Sequence, residues 1–308
     1  MRKIFVTIIL LGIVAVGAGI IFAKRDQSPT TEKIAVSTSF YPLGYFVRAV
    51  GGDDVRVSII TPAGAEPHDF EPTAGDISAT QRAKLFVYNG GGVDVWAERL
   101  APDLAKSNIA PINMSDQITA KITASTSDGE TATFDPHYWL DPINAQQEVV
   151  VIRNALIAAD PEHAAGYSDR ANIVLGQLAV LDEAYRNTLA TCRTRKFYTA
   201  HNAFAYLAKR YNLQQIAITG ISPDSEPSPE QLAAIAAQAR QEGISYIFFE
   251  SLVSPKLSQT VATEIGAKTL VLNPIEGLTD DELKAGEDYL SVMRENLSNL
   301  ALALDCRS

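Results

Sequence analysis

The chain is poor in the residue types that usually carry chemistry. Its 308 residues include two cysteines, four histidines, three methionines and two tryptophans. Two cysteines cannot build a four-cysteine zinc module or a disulfide-dense miniature fold. No G-x-x-x-x-G-K-[ST] or G-x-G-x-x-G segment is present, which leaves no phosphate loop; Gly90-Gly91-Gly92 reads as a turn. There is no G-x-S-x-G elbow and no H-E-x-x-H helix either. Basic residues are outnumbered, 26 Lys+Arg against 36 Asp+Glu, for a net charge of −10. A protein of that sign offers no basic face to nucleic acid.

What is present is a folded composition, 46% hydrophobic and 20% charged, long enough for two modest domains. One uncharged, largely apolar run spans Ile4 to Ala23, with Arg2-Lys3 before it and Lys24-Arg25 after it. Residues 1–25 therefore read as an export signal peptide or an uncleaved N-terminal membrane anchor, followed by a tether over 26–33. No cysteine lies near the end of the run to carry a lipid. Four basic residues and no acid fall in the first 25, leaving 22 basic against 36 acidic residues in a body of charge −14. That body is expected outside the cytoplasm, in the periplasm or on the outer face of the membrane. There Cys192 and Cys306 fit one disulfide tying the C-terminus to the start of a second domain, with two free thiols as the alternative.

Short runs rich in β-branched and aromatic residues recur between segments of helical length. They are Ile34 to Ser39, Val55 to Thr61, Leu85 to Asn89 and Ile109 to Asn113, then Phe197 to Ala200, Gln215 to Thr219, Tyr246 to Glu250 and Thr269 to Leu272. The alternation predicts an α/β fold of two lobes, each with a parallel sheet of about four strands flanked by helices. Between the two sets, Asp160-Pro161 opens a proline-free stretch to Thr191 with Val174, Leu175, Leu178, Leu181 and Tyr185 at helical spacing. This predicts one long rigid helix over 160–191, joining a lobe at 34–159 to a lobe at 192–308. Ser228-Pro229-Glu230-Gln231 is a capping-box helix start. Ala120 to Thr133 is small and polar and reads as a mobile loop.

Three of the four histidines stand in unusual settings. His68 follows the second strand in Glu66-Pro67-His68-Asp69-Phe70-Glu71-Pro72. His137 lies between two Asp-Pro pairs in Asp135-Pro136-His137-Tyr138-Trp139-Leu140-Asp141-Pro142. His201 ends the first strand of the second lobe. Ligands of parallel sheets bind at the carboxyl ends of strands, so an interlobe cleft could gather these imidazoles around a metal ion. A fourth ligand is sought at another strand end, where Glu276 is the available carboxylate and Glu250 its competitor. The spacings match no compact zinc motif, and a lone turn histidine is more often structural. His163 reads as a solvated residue in the first turn of the long helix, and Tyr138 and Trp139 as cleft packing.

Together with Ser37-Thr38-Ser39-Phe40-Tyr41-Pro42-Leu43, Ala200-His201-Asn202-Ala203-Phe204, Ser225-Glu226-Pro227-Ser228-Pro229 and Leu272-Asn273-Pro274-Ile275-Glu276, these motifs resemble a known family. It is the solute-binding protein family of zinc and manganese ABC transporters, bacterial solute-binding protein family 9, in its zinc-binding branch. The resemblance covers nearly all of residues 34–305. It implies two α/β lobes joined by a long helix, a metal held in the cleft, and delivery to a membrane permease and its ATPase. It places His68, His137 and His201 as ligands. Manganese-binding relatives typically carry Glu at the third position, so His201 points to Zn2+ over Mn2+. Many relatives have an Asp ligand where this chain has Asn273, a poor ligand. A streptococcal-type subgroup with Asn-Pro-x-Glu uses the Glu, here Glu276. The His-rich loop common in zinc members is missing. A zinc-capturing, non-enzymatic monomer follows, with a manganese homologue, an exported zinc enzyme or a surface adhesin as alternatives. The long helix argues for metal release by a small local movement instead of a wide hinge.

Overall fold

The structure, a computed structural model, describes residues 33–119, 121–124, 133–225 and 227–307. The expected leader at 1–25, nearly all of the tether, Glu226 and most of the 120–133 loop lie outside the described residues.

The first sheet is built by β1 (Ile34–Thr38), β2 (Val55–Ile59), β3 (Leu85–Tyr88) and β4 (Ala110–Asn113), all parallel, in the spatial order β2-β1-β3-β4. Helices Tyr41–Gly51, Ala74–Thr80 and Val95–Lys106 make its crossovers. Each strand falls within a residue or two of the β-branched run that predicted it. All four residues of β3 are buried, as a central strand covered on both faces requires. Two residues, Thr123–Ala124 (β5), pair antiparallel with Thr133–Phe134 (β6), so the ends of the expected mobile loop are held together.

The second sheet comprises β7 (Lys196–Thr199), β8 (Gln214–Ala217), β9 (Tyr246–Phe249) and β10 (Lys268–Val271), again parallel, in the order β10-β9-β7-β8. Read from opposite edges and counted within each lobe, the first sheet has the order 2-1-3-4 and the second 2-1-3-4 as well. In each, the chain reverses its direction of winding between the first and third strands, and a crevice opens outside their carboxyl ends. The connecting helices are Ala205–Arg210, Pro229–Gln241 and Lys256–Ile265. The capping box at Ser228 forms as read, with Gln231 N–H donating to Ser228 Oγ and Ser228 N–H to Gln231 Oε1.

Helix Pro142–Ala159 leads into the long helix, which runs over Ala164–Ala190, 27 residues or about 40 Å. It begins four residues later than the sequence indicates, because Pro161–His163 forms a tight 3-10 turn. The Asp160 carboxylate explains the turn: it accepts from His163 Nδ1 at 2.6 Å and from the Tyr167 hydroxyl at 2.7 Å. His163 is therefore a half-buried, paired side chain rather than a solvated one. The long helix buries Tyr167, Ala171, Val174, Leu178, Leu181, Tyr185 and Leu189. That stripe belongs to one continuous core reaching Phe46 and Trp139 in the first lobe and Phe204 and Tyr289 in the second. The final helix, Tyr289–Ala303, packs on the long helix, and Tyr289 meets Phe46 with ring centroids 4.9 Å apart. Cys192 and Cys306 form a disulfide between positions 114 residues apart in the chain. Among the described residues, no helix is long and apolar enough to cross a membrane.

Candidate metal centre

The strand ends bring four residues from distant parts of the chain to one point. His68 lies on the turn-rich segment after β2, held by its own N–H donating to Glu66 Oε1 at 3.2 Å. His137 precedes a 3-10 turn, and its N–H donates to Asp135 Oδ1 at 2.9 Å. His201 leaves the end of β7 with its N–H donating to Glu250 Oε1 at 3.1 Å, and its carbonyl accepts from Thr199 Oγ1 and Gln215 Nε2. Glu276 stands in the segment after β10. His137, His201 and Glu276 are buried, and the His68 side chain is 5% exposed.

Their donor atoms converge. His137 Nε2 lies 3.3 Å from His68 Nε2, 3.3 Å from His201 Nε2 and 3.1 Å from Glu276 Oε1. Glu276 Oε1 is 3.3 Å from His68 Nε2 and 3.4 Å from His201 Nε2. A tetrahedron whose vertices stand about 2.05 Å from a central zinc ion has edges of about 3.3 Å. Five of the six separations match that edge, and all four atoms lie within 4.8 Å of one another, the spacing of a small coordination shell.

The second ring nitrogens decide which atoms face inward. His137 Nδ1 is 2.9 Å from Asp135 Oδ1, and His201 Nδ1 is 2.8 and 2.7 Å from the two Glu250 oxygens. Nδ1 must donate to a carboxylate, so in neutral rings the Nε2 lone pairs point to the centre. Lone pairs and a carboxylate oxygen packed at 3.1–3.4 Å repel one another unless a cation or proton lies among them. The electrostatics express this. Burial opposes charge on His201, yet Glu250 and Glu276 outweigh it and hold the imidazole well above its usual range. His137 is raised in the same way, against burial, by Asp135 and Glu276. Burial pushes His68 down. Glu276 is held well below the carboxylate range, because the three histidines outweigh its burial. Burial and the nearby Glu276 push Glu66 up to about 9.

Among the described residues, His68, His137, His201 and Glu276 form the one group of this kind. Neither alternative to Glu276 joins it. Glu250 sits behind His201 on its Nδ1 side. Asn273 is turned away: its Nδ2 donates to Ser251 Oγ at 2.9 Å and Glu282 Oε1 at 3.0 Å, and its Oδ1 accepts from Ile275 N–H at 2.7 Å. The residues that sequence reasoning passed over are Glu66 and Asp135 as backbone anchors. The signal was available, since each is an acid two positions before a histidine. Trp139 and Tyr138 are buried packing, as read, but Trp139 also reaches between lobes, its Nε1 donating to Pro274 O at 2.7 Å. Gly90, Gly91 and Gly92 all have positive φ, consistent with a turn.

A family model described as "Zinc-uptake complex component A periplasmic" (ZnuA) matches residues 36–303. The zinc-binding protein AdcA of Streptococcus pyogenes serotype M6 is 36% identical over 299 residues, covering 92% of this chain and 58% of that protein. The chain thus spans little more than half the length of the curated streptococcal AdcA proteins it matches. The high-affinity zinc uptake system protein ZnuA of Bacillus subtilis is 36% identical over 294 residues, with 92% of both chains covered. Among solved structures, the Zn(II)-bound ZnuA-like domain of Streptococcus pneumoniae AdcA superposes with a TM-score of 0.77 at 37% identity, over 89% of this chain and 99% of that one. The laminin-binding adhesin Lmb of Streptococcus agalactiae, in a mutant form, gives 0.80 at 36% identity, over 88% and 99%. The two-lobe fold, the cluster of three histidines and one glutamate, and these matches agree: the chain belongs to the ZnuA family.

Proposed function

We propose that this protein captures Zn2+ between its lobes and hands it to an ABC-type importer made of a permease and an ATPase, with His68, His137, His201 and Glu276 as the four ligands. The observation that carries this reading is five separations of 3.1–3.4 Å linking three Nε2 atoms and Glu276 Oε1. Three imidazoles and one carboxylate favour zinc over manganese, which takes more oxygen ligands in an octahedral shell. Glu276 fills the fourth corner, so the site leaves no position for a reactive water, and the role is binding and not catalysis. Residues 1–25 serve export or membrane anchoring, which places the site outside the cytoplasm.

Each lobe gives two ligands. The first lobe supplies His68 and His137, the second His201 and Glu276. Loosening the second-lobe segment that bears Glu276 would leave the ion with incomplete coordination, which is a route to release without wide opening of the lobes.

The test is titration calorimetry of the protein lacking residues 1–25 against Zn2+ and Mn2+, repeated with His201→Ala and Glu276→Ala. One tightly bound Zn2+, weakened by either substitution, supports the reading. Unchanged zinc affinity in both variants would overturn the ligand assignment.

A further inference from the structure

The turn that carries Glu276 is held in an unfavourable conformation. Ile275, fully buried, has φ +58°, the left-handed region that β-branched residues avoid. Such a residue persists only where its surroundings over-determine it. The surroundings here centre on Asn273. Its Oδ1 accepts from the Ile275 N–H at 2.7 Å, closing a side-chain turn around Pro274. Its backbone is clamped by Asn296, which accepts from Asn273 N–H at 2.8 Å and donates through Nδ2 to Asn273 O at 2.7 Å.

A single carboxylate then pins both ends of the segment. Glu282 Oε1 accepts from Asn273 Nδ2 at 3.0 Å, while Glu282 Oε2 accepts from Thr279 N–H at 2.6 Å. Residues 273 and 279 are thereby fastened to one side chain, and Glu276 lies midway between them. Asn273 is 2% exposed and uses both its amide group and its carbonyl oxygen at once. An aspartate could not replace it, because its carboxylate would face the Glu282 carboxylate with no hydrogen to donate.

Resting on the metal-site reading above, we propose that Asn273 is the positioning residue for Glu276, acting with Glu282 as a two-ended clamp that forces the Ile275 turn and aims Glu276 Oε1 at the three histidines. The neutral amide is required at 273 so that the clamp closes beside Glu282.

The experiment is a double-mutant cycle on zinc affinity, measured by chelator competition, with thermal unfolding of each metal-free variant as the check on folding. Asn273→Asp is expected to weaken zinc binding by about 10–100-fold, the usual effect of removing a group that orients a ligand. Adding Glu282→Gln, which can donate to an aspartate at 273 while still accepting from Thr279, is expected to restore most of that loss. In a Glu276→Gln background, where no carboxylate remains to be aimed, Asn273→Asp is expected to cost no more than about twofold. Asn273→Ala, which adds no charge, carries the comparison with the Glu276→Gln background if the aspartate variant does not fold. Unchanged affinity in the position-273 variant, or an equal loss in the Glu276→Gln background, overturns the proposal. If Glu276→Gln alone leaves zinc affinity intact, it is the metal-site reading that fails.

Discussion

The His201 ring is gripped from behind by Glu250: Nδ1 lies 2.7 Å from Glu250 Oε2 while Nε2 faces the centre of the site. The carboxylate fixes the tautomer, orients the ring and raises its basicity. Glu250→Gln keeps the shape and removes the charge. Zinc affinity measured by chelator competition is expected to fall about tenfold, and a change of less than twofold would show that the pair does not tune the ligand.

The raised His201 and His137 make zinc compete with protons. The metal-free site is expected to hold at least one proton at neutral pH and to release it on binding. Affinity should fall as pH drops below the raised values, by about tenfold per pH unit for one displaced proton. Calorimetry at pH 7 in buffers of different ionisation enthalpy measures the release directly. Binding heats that do not vary with buffer would contradict the prediction.

Glu148, on the Pro142–Ala159 helix, is fully buried, and neither carboxylate oxygen has a hydrogen-bond partner among the described residues. Burial alone pushes its carboxyl well above the usual range. A folded-state value above the unfolded one means that the unfolded chain sheds the proton first as pH rises. Stability from this group is complete below about pH 4.5 and is lost progressively above it, at up to about 1.4 kcal/mol per pH unit. Glu148→Leu should therefore be more stable than the parent at pH 8, with a smaller gap at pH 5. Urea denaturation at the two pH values checks both sign and trend.

The Cys192–Cys306 disulfide joins the chain where it enters the second lobe to the end of that lobe, at the opposite end of β7 from His201. Replacing both cysteines by serine is expected to cost about 2–4 kcal/mol of stability by freeing the unfolded chain. Zinc affinity should stay within about twofold, because the site and the bond lie at different ends of the strand. A large loss of zinc binding without loss of stability would show a coupling that this geometry does not supply.

The strands were legible because each is a short run of β-branched and aromatic residues between helical segments, and parallel strands buried on both faces show little else. The histidines stood out through scarcity and through their place after strands. The choice between Glu276 and Glu250 was not settled by composition, since both follow strands of the second sheet. Only the folded arrangement puts one carboxylate against Nε2 and the other against Nδ1. The work of Asn273 was hidden for a different reason. Its partners Ser251, Glu282 and Asn296 lie 22, 9 and 23 residues away, and no local pattern links them. The 3-10 turn before the long helix was missed because Asp160-Pro161 starts either kind of helix equally well.

The long helix and the final helix both join the lobes through a shared core. The first does so through the chain itself, and the second through Tyr289, whose hydroxyl donates to the Trp139 carbonyl and whose ring stacks on Tyr45. Further ties cross between the lobes near the site: Gly64 N–H donates to Leu278 O, Trp139 Nε1 to Pro274 O and the Tyr206 hydroxyl to Asp135 O. Parting the lobes as rigid bodies would break all of these ties at once, so a local change at one strand end costs less than opening the cleft.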